Sequence, residues 1–253
     1  MPTVIAIASQ KGGVAKTTTS GNLGHALARL GQRVLLIDLD AQMNLTTWLG
    51  VESFEGPTAD VVLQHPERLN DAPGPTVAGP DLDLIYSSLE LAGVQSTLKD
   101  TSKAPNTILR RALRPLDARY DIVLIDCPPN MGMLVVNALV AASLVIVPVV
   151  PQSFAIDGLD KMLEAVKELV EAEVVNAAPV IRTLLTIVDA FDPEQKLNVQ
   201  KIRKRTDVVV CDTFIRKAPM LARGPDRRQT IFDLAPKSAG ASDYGALAEE
   251  LLA

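Results

Sequence analysis

The sequence predicts a doubly wound α/β fold: a mostly parallel β-sheet with helices on both faces. Two observations carry that expectation. Short, mostly apolar runs recur along the chain at residues 4–8, 33–38, 121–126, 144–150 and 181–188, too short for core helices and without strict polar alternation. Such runs suit strands buried on both faces. Helix-like segments stand between or after them at residues 22–30, 107–116 and 159–173, with a closing one at 244–252. Strands alternating with helices at this spacing imply crossover units and a parallel sheet. A further strand is expected at residues 82–86, whereas residues 52–80, rich in Gly, Pro and Asp with a brief helical pattern at 60–64, read as a surface connection.

The first strand leads into residues 9–20, Ser-Gln-Lys-Gly-Gly-Val-Ala-Lys-Thr-Thr-Thr-Ser, and then into a helix. Strand, glycine-rich turn and helix with Lys and Thr at its start is an arrangement that cradles a nucleotide's phosphates. Glycines let backbone N–H groups approach the anion, and the helix N-terminus adds a favourable partial charge. Lys16 is expected to reach the β- and γ-phosphates, and the Thr17 hydroxyl to ligate Mg²⁺. A plain glycine turn would not need Lys-Thr at that point. The stretch departs from the general pattern G-x-x-x-x-G-K-[ST], because Gln10 and Ala15 stand where its two glycines belong.

Two acids follow at strand ends. The second run closes on Asp38-Leu39-Asp40, and the run at 121–126 closes on Asp126, ahead of Cys127-Pro128-Pro129. Carboxylates at the C-terminal edge of an open α/β sheet lie where such sheets bind ligands. Asp38 or Asp40 is expected to orient a water, hold Mg²⁺ through water, or cap the following turn. Asp126, after four apolar residues, stands where a phosphate-loop site places its metal-binding carboxylate.

The variant Lys-Gly-Gly-x-x-Lys-Thr, with its early Lys11, resembles the deviant Walker A motif of the ParA/MinD ATPases. The chain resembles the compact, Soj-like ParA members over nearly its whole length, with three motifs in matching order. The resemblance implies that Lys11 reaches across a dimer interface to the partner's nucleotide, while Lys16 acts in its own chain. Gly12, Gly13, Val14, Ala15 and Thr18 then join Lys11, Lys16 and Thr17 around the phosphates. It also implies that Asp40 positions the attacking water, so that Lys11, Lys16 and Asp40 form the catalytic set. Thr17 and Asp126 hold the metal, with Asp40 contributing through water. Relatives read Asp-x-Asp-Pro-Gln-Gly-Asn in the first acidic stretch; here Ala41 and Met43 replace the Pro and Gly. An Asp-x-Pro-Pro stretch that senses nucleotide maps to residues 126–129.

Composition bounds the alternatives. No apolar run approaches the ~18 residues of a membrane span, and no cleavable leader precedes the first strand; a cytoplasmic, nucleoid-associated location is expected. The whole of residues 1–253 is read as one ATPase domain without an N-terminal DNA-reading extension. Cys127 and Cys211 lack metal- or redox-type spacing and read as buried thiols. Aromatic residues, 4% of the chain, are too sparse for a base-stacking single-strand binder. Net charge is −5, yet residues 196–237 hold eleven of the 25 basic residues and only four of the 30 acidic ones. That segment is +7 and the remainder −12, an asymmetry that marks a polyanion-binding face. Lys201, Arg203, Lys204, Arg205, Arg216, Lys217, Arg227 and Arg228 are the candidate DNA contacts. Relatives often carry an arginine where this chain has Phe191 and a proline, beside the adenine, where it has Arg216. Arg110, Arg111 and Arg114 read as a solvated helix face.

The resemblance implies an ATP-bound sandwich dimer that binds double-stranded DNA non-specifically. A ParB-type centromere-binding partner would then stimulate slow hydrolysis and release. A MinD-like membrane-positioning ATPase is the alternative, but it needs a basic amphipathic C-terminal helix, and this chain's last residues include Glu249 and Glu250. A nucleotide-gated DNA scaffold with vestigial hydrolysis is the other.

Overall fold

The computed structural model describes residues 2–101, 103–116, 119–152, 155–175 and 178–253. In chain order its elements are β1 (Thr3–Ile7), α1 (Lys16–Arg29), β2 (Val34–Asp38), α2 (Asn44–Leu49), α3 (Ala59–Gln64), β3 (Gly74–Thr76) and β4 (Gly79–Ile85). They continue with α4 (Leu91–Thr101), α5 (Ile108–Leu113), β5 (Ile122–Asp126), α6 (Met133–Ala141), β6 (Leu144–Val149), α7 (Ala155–Glu171) and β7 (Val180–Leu185). The last are α8 (Pro193–Arg203), β8 (Val209–Val210), α9 (Pro219–Arg227), α10 (Ile231–Leu234) and α11 (Ala239–Leu252).

Among the described residues the strands form one sheet in the order β3-β4-β2-β5-β1-β6-β7-β8. Every neighbouring pair is parallel except the β3–β4 edge pair. Alternate strand residues feed two separate cores, as the two-residue period of a strand requires. Ile5, Ile7, Leu36, Leu124, Ile146 and Leu184 pack under α1, α2 and α11 on one face. Ala6, Leu35, Ile37, Val123, Ile125 and Val147 pack under α3 to α7 on the other. Both faces of β2 and β5 are fully covered, which explains why those runs read as continuously apolar.

Close packing fixes α1 on the sheet. Gly21 accepts the ring of Trp48 from α2, and a Cβ there would lie 2.4 Å from that ring. The other side of Trp48 meets α9, and its Nε1–H donates to the Gln229 carbonyl at 3.0 Å. α2 is thereby held between α1 and the segment around α9.

Residues 52–80 differ from the surface connection that composition suggests. They hold α3, a 3₁₀ turn (Pro66–Asp71) and the antiparallel β3, and they bury Val62, Leu63, Leu69 and Ala72 in the core. The brief helical pattern at 60–64 is α3, whereas the 3₁₀ turn and β3 are too short to show a period, so their packing alone reveals them. α1 starts at Lys16, earlier than the apolar pattern shows. The segment at 107–116 is a short helix bounded by 3₁₀ turns. α11 begins at Ala239, where the Ser238 hydroxyl accepts the Ala241 N–H at 3.3 Å as an N-cap.

Candidate nucleotide site

β1 lies between β5 and β6, and the loop that follows it emerges at the C-terminal edge of the sheet centre. Gly13 (φ 72°) and Ala15 (φ 67°) are both left-handed, and α1 begins at the next residue, Lys16. Alternation of this kind turns successive N–H groups towards one concave side, ahead of a helix N-terminus. Ala15 therefore keeps the backbone a glycine would adopt, at a strain of roughly 1–2 kcal/mol. The Lys16 side chain folds back over the loop, its Nζ donating to the Lys11 carbonyl at 3.3 Å. Burial lowers the Lys16 pKa, opposed chiefly by the Asp126 carboxylate and also by Cys127 and Asp40. Lys11 itself is half-buried, and among the described residues its ammonium pairs with no carboxylate. Thr17 and Thr18 occupy the first turn of α1.

The carboxylates lie alongside. Asp38 and Asp126 close β2 and β5, and the parallel register sets them side by side. Asp38 is wholly buried and accepts the Asp40 N–H (3.1 Å), the Thr46 N–H (2.9 Å) and the Thr46 hydroxyl (2.7 Å). Asp126 accepts the Ser20 hydroxyl at 3.0 Å. Burial pushes Asp38 up to about 6. Burial, reinforced by the neighbouring Asp38, pushes Asp126 up to about 7, against the Thr17 and Ser20 hydroxyls and Lys16. Two buried acids beside one buried ammonium form a site short of positive charge, which a divalent cation suits. Among the described residues no group of three or more His, Cys, Asp or Glu side chains is arranged to hold a metal. Magnesium here would therefore take phosphate oxygens and waters as its remaining ligands, in keeping with its preference for few protein ligands.

Asp40 is half-buried at the start of a tight turn. Its carboxylate accepts the Gln42 N–H at 3.0 Å and its carbonyl accepts the Ser87 hydroxyl at 2.8 Å. Met43, where the sequence resemblance implies a glycine, is left-handed at φ 57°. Both residues that replace glycines thus keep glycine-like backbones. Burial raises the Cys127 thiol well above its ordinary range, and both cysteines are buried and unpaired.

Beside the phosphate loop lies a cavity of about 300 Å³, lined by Ala15, Thr18, Ile187, Ile215, Pro219 and Tyr244 among others. Its apolar walls and its place at the loop suit a nucleotide base. Sequence reasoning named only Ala15, Thr18, Arg216 and Lys217 of its lining, because the walls come from loops brought together only by the fold. Arg216 stands at its edge with its guanidinium clamped by Asp243 of α11 at 2.5 Å. Another cavity, of about 370 Å³, lies at the opposite edge of the sheet between Pro2, Arg110, Arg114 and Ser143, far from this chemistry.

The basic segment is divided by the fold. Ile202 of α8 belongs to one core and Leu221 of α9 to the other, so the two helices cover opposite faces of the sheet. Several of its cations are engaged within the chain. Arg205 pairs with Asp160 and Asp207, Arg216 with Asp243, and Arg228 with Glu52 and the Gly50 carbonyl. Arg203 donates to the Asp212 carbonyl at 3.1 Å, and Lys217 lies 3.7 Å from Asp189. Lys201, Lys204 and Arg227 are exposed, and among the described residues none of them has an ion-pair partner. Phe191 projects into solvent at 92% exposure, from a turn held by Asp189 and Asp192.

A parallel sheet that carries a lysine-bearing phosphate loop after its first strand and two strand-end carboxylates beside it defines a phosphate-loop nucleotide-binding protein. Residues 2–178 match the AAA domain family. The chain is 40% identical to the chromosome-partitioning ATPase Soj of Thermus thermophilus, over 98% of this chain and 95% of that protein. It is 36% identical to the sporulation initiation inhibitor protein Soj of Bacillus subtilis, over 100% and 99% of the two chains. Among solved structures it is similar to cobyrinic acid a,c-diamide synthase from Mycobacterium smegmatis with bound ADP and magnesium. That likeness has a TM-score of 0.83 at 32% identity, and covers 100% of this chain and 94% of the other. The chain belongs to the Soj/ParA family of chromosome-partitioning ATPases. A second structure of that mycobacterial protein, again 32% identical with a TM-score of 0.83, holds an ATP analogue and magnesium.

Proposed function

We propose that this protein is a DNA-partition ATPase whose active site is completed by a second copy of the chain. The observation that carries the reading is the pair of lysines. Lys16 is buried and folded over its own loop, whereas Lys11 is half-buried at the loop's lip and, among the described residues, has no acidic partner. Lys16 neutralises the phosphates of the nucleotide in its own chain, and Lys11 crosses to the partner's nucleotide. Amides of residues 12–18 cradle the phosphates, and the Thr17 hydroxyl and Asp126 hold magnesium, with Asp40 adding a contact through water. Magnesium bound there neutralises charge on the β- and γ-phosphates during transfer. Asp40 orients the attacking water.

The ATP-bound dimer binds double-stranded DNA through phosphates, without sequence preference. Free cations support this reading, and they narrow it to Lys201 on α8, Lys204 just after it and Arg227 on α9, with Lys196 and Arg223 beside them. Arg205, Arg216 and Arg228 serve internal pairs instead. The last turn of α11 carries Glu249 and Glu250, and Glu250 accepts the backbone N–H groups of Asp212 and Thr213, which favours DNA over a membrane surface. A ParB-type centromere-binding partner stimulates turnover and releases the DNA. DNA binding measured with ATP, ADP and no nucleotide tests the reading. Tight, salt-sensitive binding with ATP alone is expected, weakened by Lys201→Glu with Lys204→Glu. Equal binding in all three states would refute it.

A further inference from the structure

Thr186, the residue after β7, is fully buried, and its hydroxyl donates to the Val14 carbonyl at 3.1 Å. Its backbone N–H is fixed to the Val149 carbonyl at the end of β6, 2.9 Å away, so the hydroxyl is presented from a rigid part of the sheet. Val14 lies between the left-handed residues Gly13 and Ala15, and its own side chain is buried. The Val14–Ala15 peptide is planar and trans, so its C=O and N–H point in opposite directions. Pinning the carbonyl towards β7 therefore turns the Ala15 N–H towards the other side of the loop.

A second observation marks the same place. Ile187, next to Thr186, is left-handed at φ 52°, and it lines the base cavity together with Ala15 and Thr18. A β-branched residue in that region is an outlier, and such strain persists only where the surroundings over-determine the backbone. Two strained non-glycine residues, Ala15 and Ile187, thus bracket one buried hydrogen bond. Neither a motif nor a charge pattern marks this threonine, because the bond joins residues 172 positions apart.

We propose that Thr186 is a positioning residue for nucleotide binding: its hydroxyl holds the Val14–Ala15 peptide so that the Ala15 N–H faces the phosphates. The inference rests on the reading that residues 11–18 hold those phosphates. The amide would contact phosphate present in ATP and ADP alike, so it stabilises bound substrate and transition state equally. Loss of such uniform binding raises KM and spares kcat.

The test is Thr186→Val, which keeps the shape and removes the hydroxyl, beside Thr186→Ser, which keeps the hydroxyl. With valine, the KM for ATP and the Kd for ADP should both rise about tenfold, the scale of one lost hydrogen bond, while kcat stays near wild type. Serine should restore both constants. Wild-type affinities in the valine variant, a fall in kcat without a change in KM, or failure of serine to restore would each overturn the proposal. If valine does not fold, Thr186→Ala is read in the same way; if neither folds, the hydroxyl is a folding determinant and the proposal fails. Lys16→Ala separates the two levels. If it still binds ADP normally, the phosphate-loop reading is wrong; if it loses ADP while Thr186→Val does not, only the Thr186 assignment is wrong.

Discussion

The phosphate loop and the carboxylate loop, at the ends of β1 and β2, both turn on a left-handed residue that carries a side chain: Ala15 in one and Met43 in the other. They are held differently. The Met43 turn is closed mainly by its neighbours, its N–H donating to the Asp40 carbonyl at 2.9 Å and its carbonyl accepting the Thr47 N–H at 2.8 Å, and its outside brace, the Ser87 hydroxyl on the Asp40 carbonyl, is only partly buried. The Ala15 turn is braced from outside by Thr186, whose bond is buried. A shift of the Met43 turn would expose to water one partly buried bond, whereas a shift of the Ala15 turn would leave a buried carbonyl unpaired. The contrast fits a fixed cradle for the phosphates beside a loop able to respond to what is bound. Both loops hold conformational strain, and the second also abuts two buried carboxylates whose charges repel.

That electrostatic difference gives the larger predicted effect. Asp38 and Asp126 have folded-state values of about 6 and about 7, above the ordinary carboxylate value of 3.8. The folded protein therefore holds protons that the unfolded chain has released between pH 4 and 7. The stabilisation from these groups is fully present below pH 4 and is lost as pH rises through 6 to 7. Thermal unfolding of the nucleotide-free protein should show a Tm contribution that falls from pH 5 to pH 8, reduced in Asp126→Asn, where Asp38 alone still contributes, and diminished with Mg-ATP bound. A variant with the same pH slope as wild type would remove the buried pair as its source.

A smaller effect should test the strain that the two turns share. Glycine at position 15 or 43 relieves roughly 1–2 kcal/mol and gives back about 0.4–1 kcal/mol through the freer unfolded chain. Ala15→Gly and Met43→Gly should each raise Tm by roughly 2–4 °C in a chain of this size. Thermal melts of the two variants check this, and a fall in Tm at either position would show that its side chain contributes more by packing than its backbone loses.

Much of this was legible in the sequence, for physical reasons that also set the limits. Strands buried on both faces announce themselves as apolar runs, so β1, β2, β5 and β6 could be placed within a residue or two. Lys16, Thr17 and Asp126 were legible from phosphate-loop chemistry, and Lys11 and Asp40 from the resemblance to the ParA/MinD ATPases; the fold gathers the lysines and the two acids at one edge of the sheet. The backbone at Ala15 was not, since a composition that departs from glycine does not say whether the conformation departs too. The division of residues 196–237 between the two faces was hidden for another reason: linear charge density ignores which cations find acids nearby, as Arg205 and Arg216 do. The base cavity and Thr186 depend on contacts between distant segments and leave no local pattern.

The central claim is that each site needs a lysine from a second chain, and mixing two inactive variants tests it most directly. Lys11→Ala removes the crossing lysine and Asp40→Ala removes the water-orienting carboxylate, so each alone should lose hydrolysis. In a mixed dimer, the site on the Lys11→Ala chain would have its own Lys16 and Asp40, together with the intact Lys11 of its partner. Mixing the two proteins should therefore restore ATPase activity, approaching half that of wild type per mixed dimer. A mixture as inactive as its components, with mixed dimers shown to form, would contradict the claim and return Lys11 to its own chain's nucleotide.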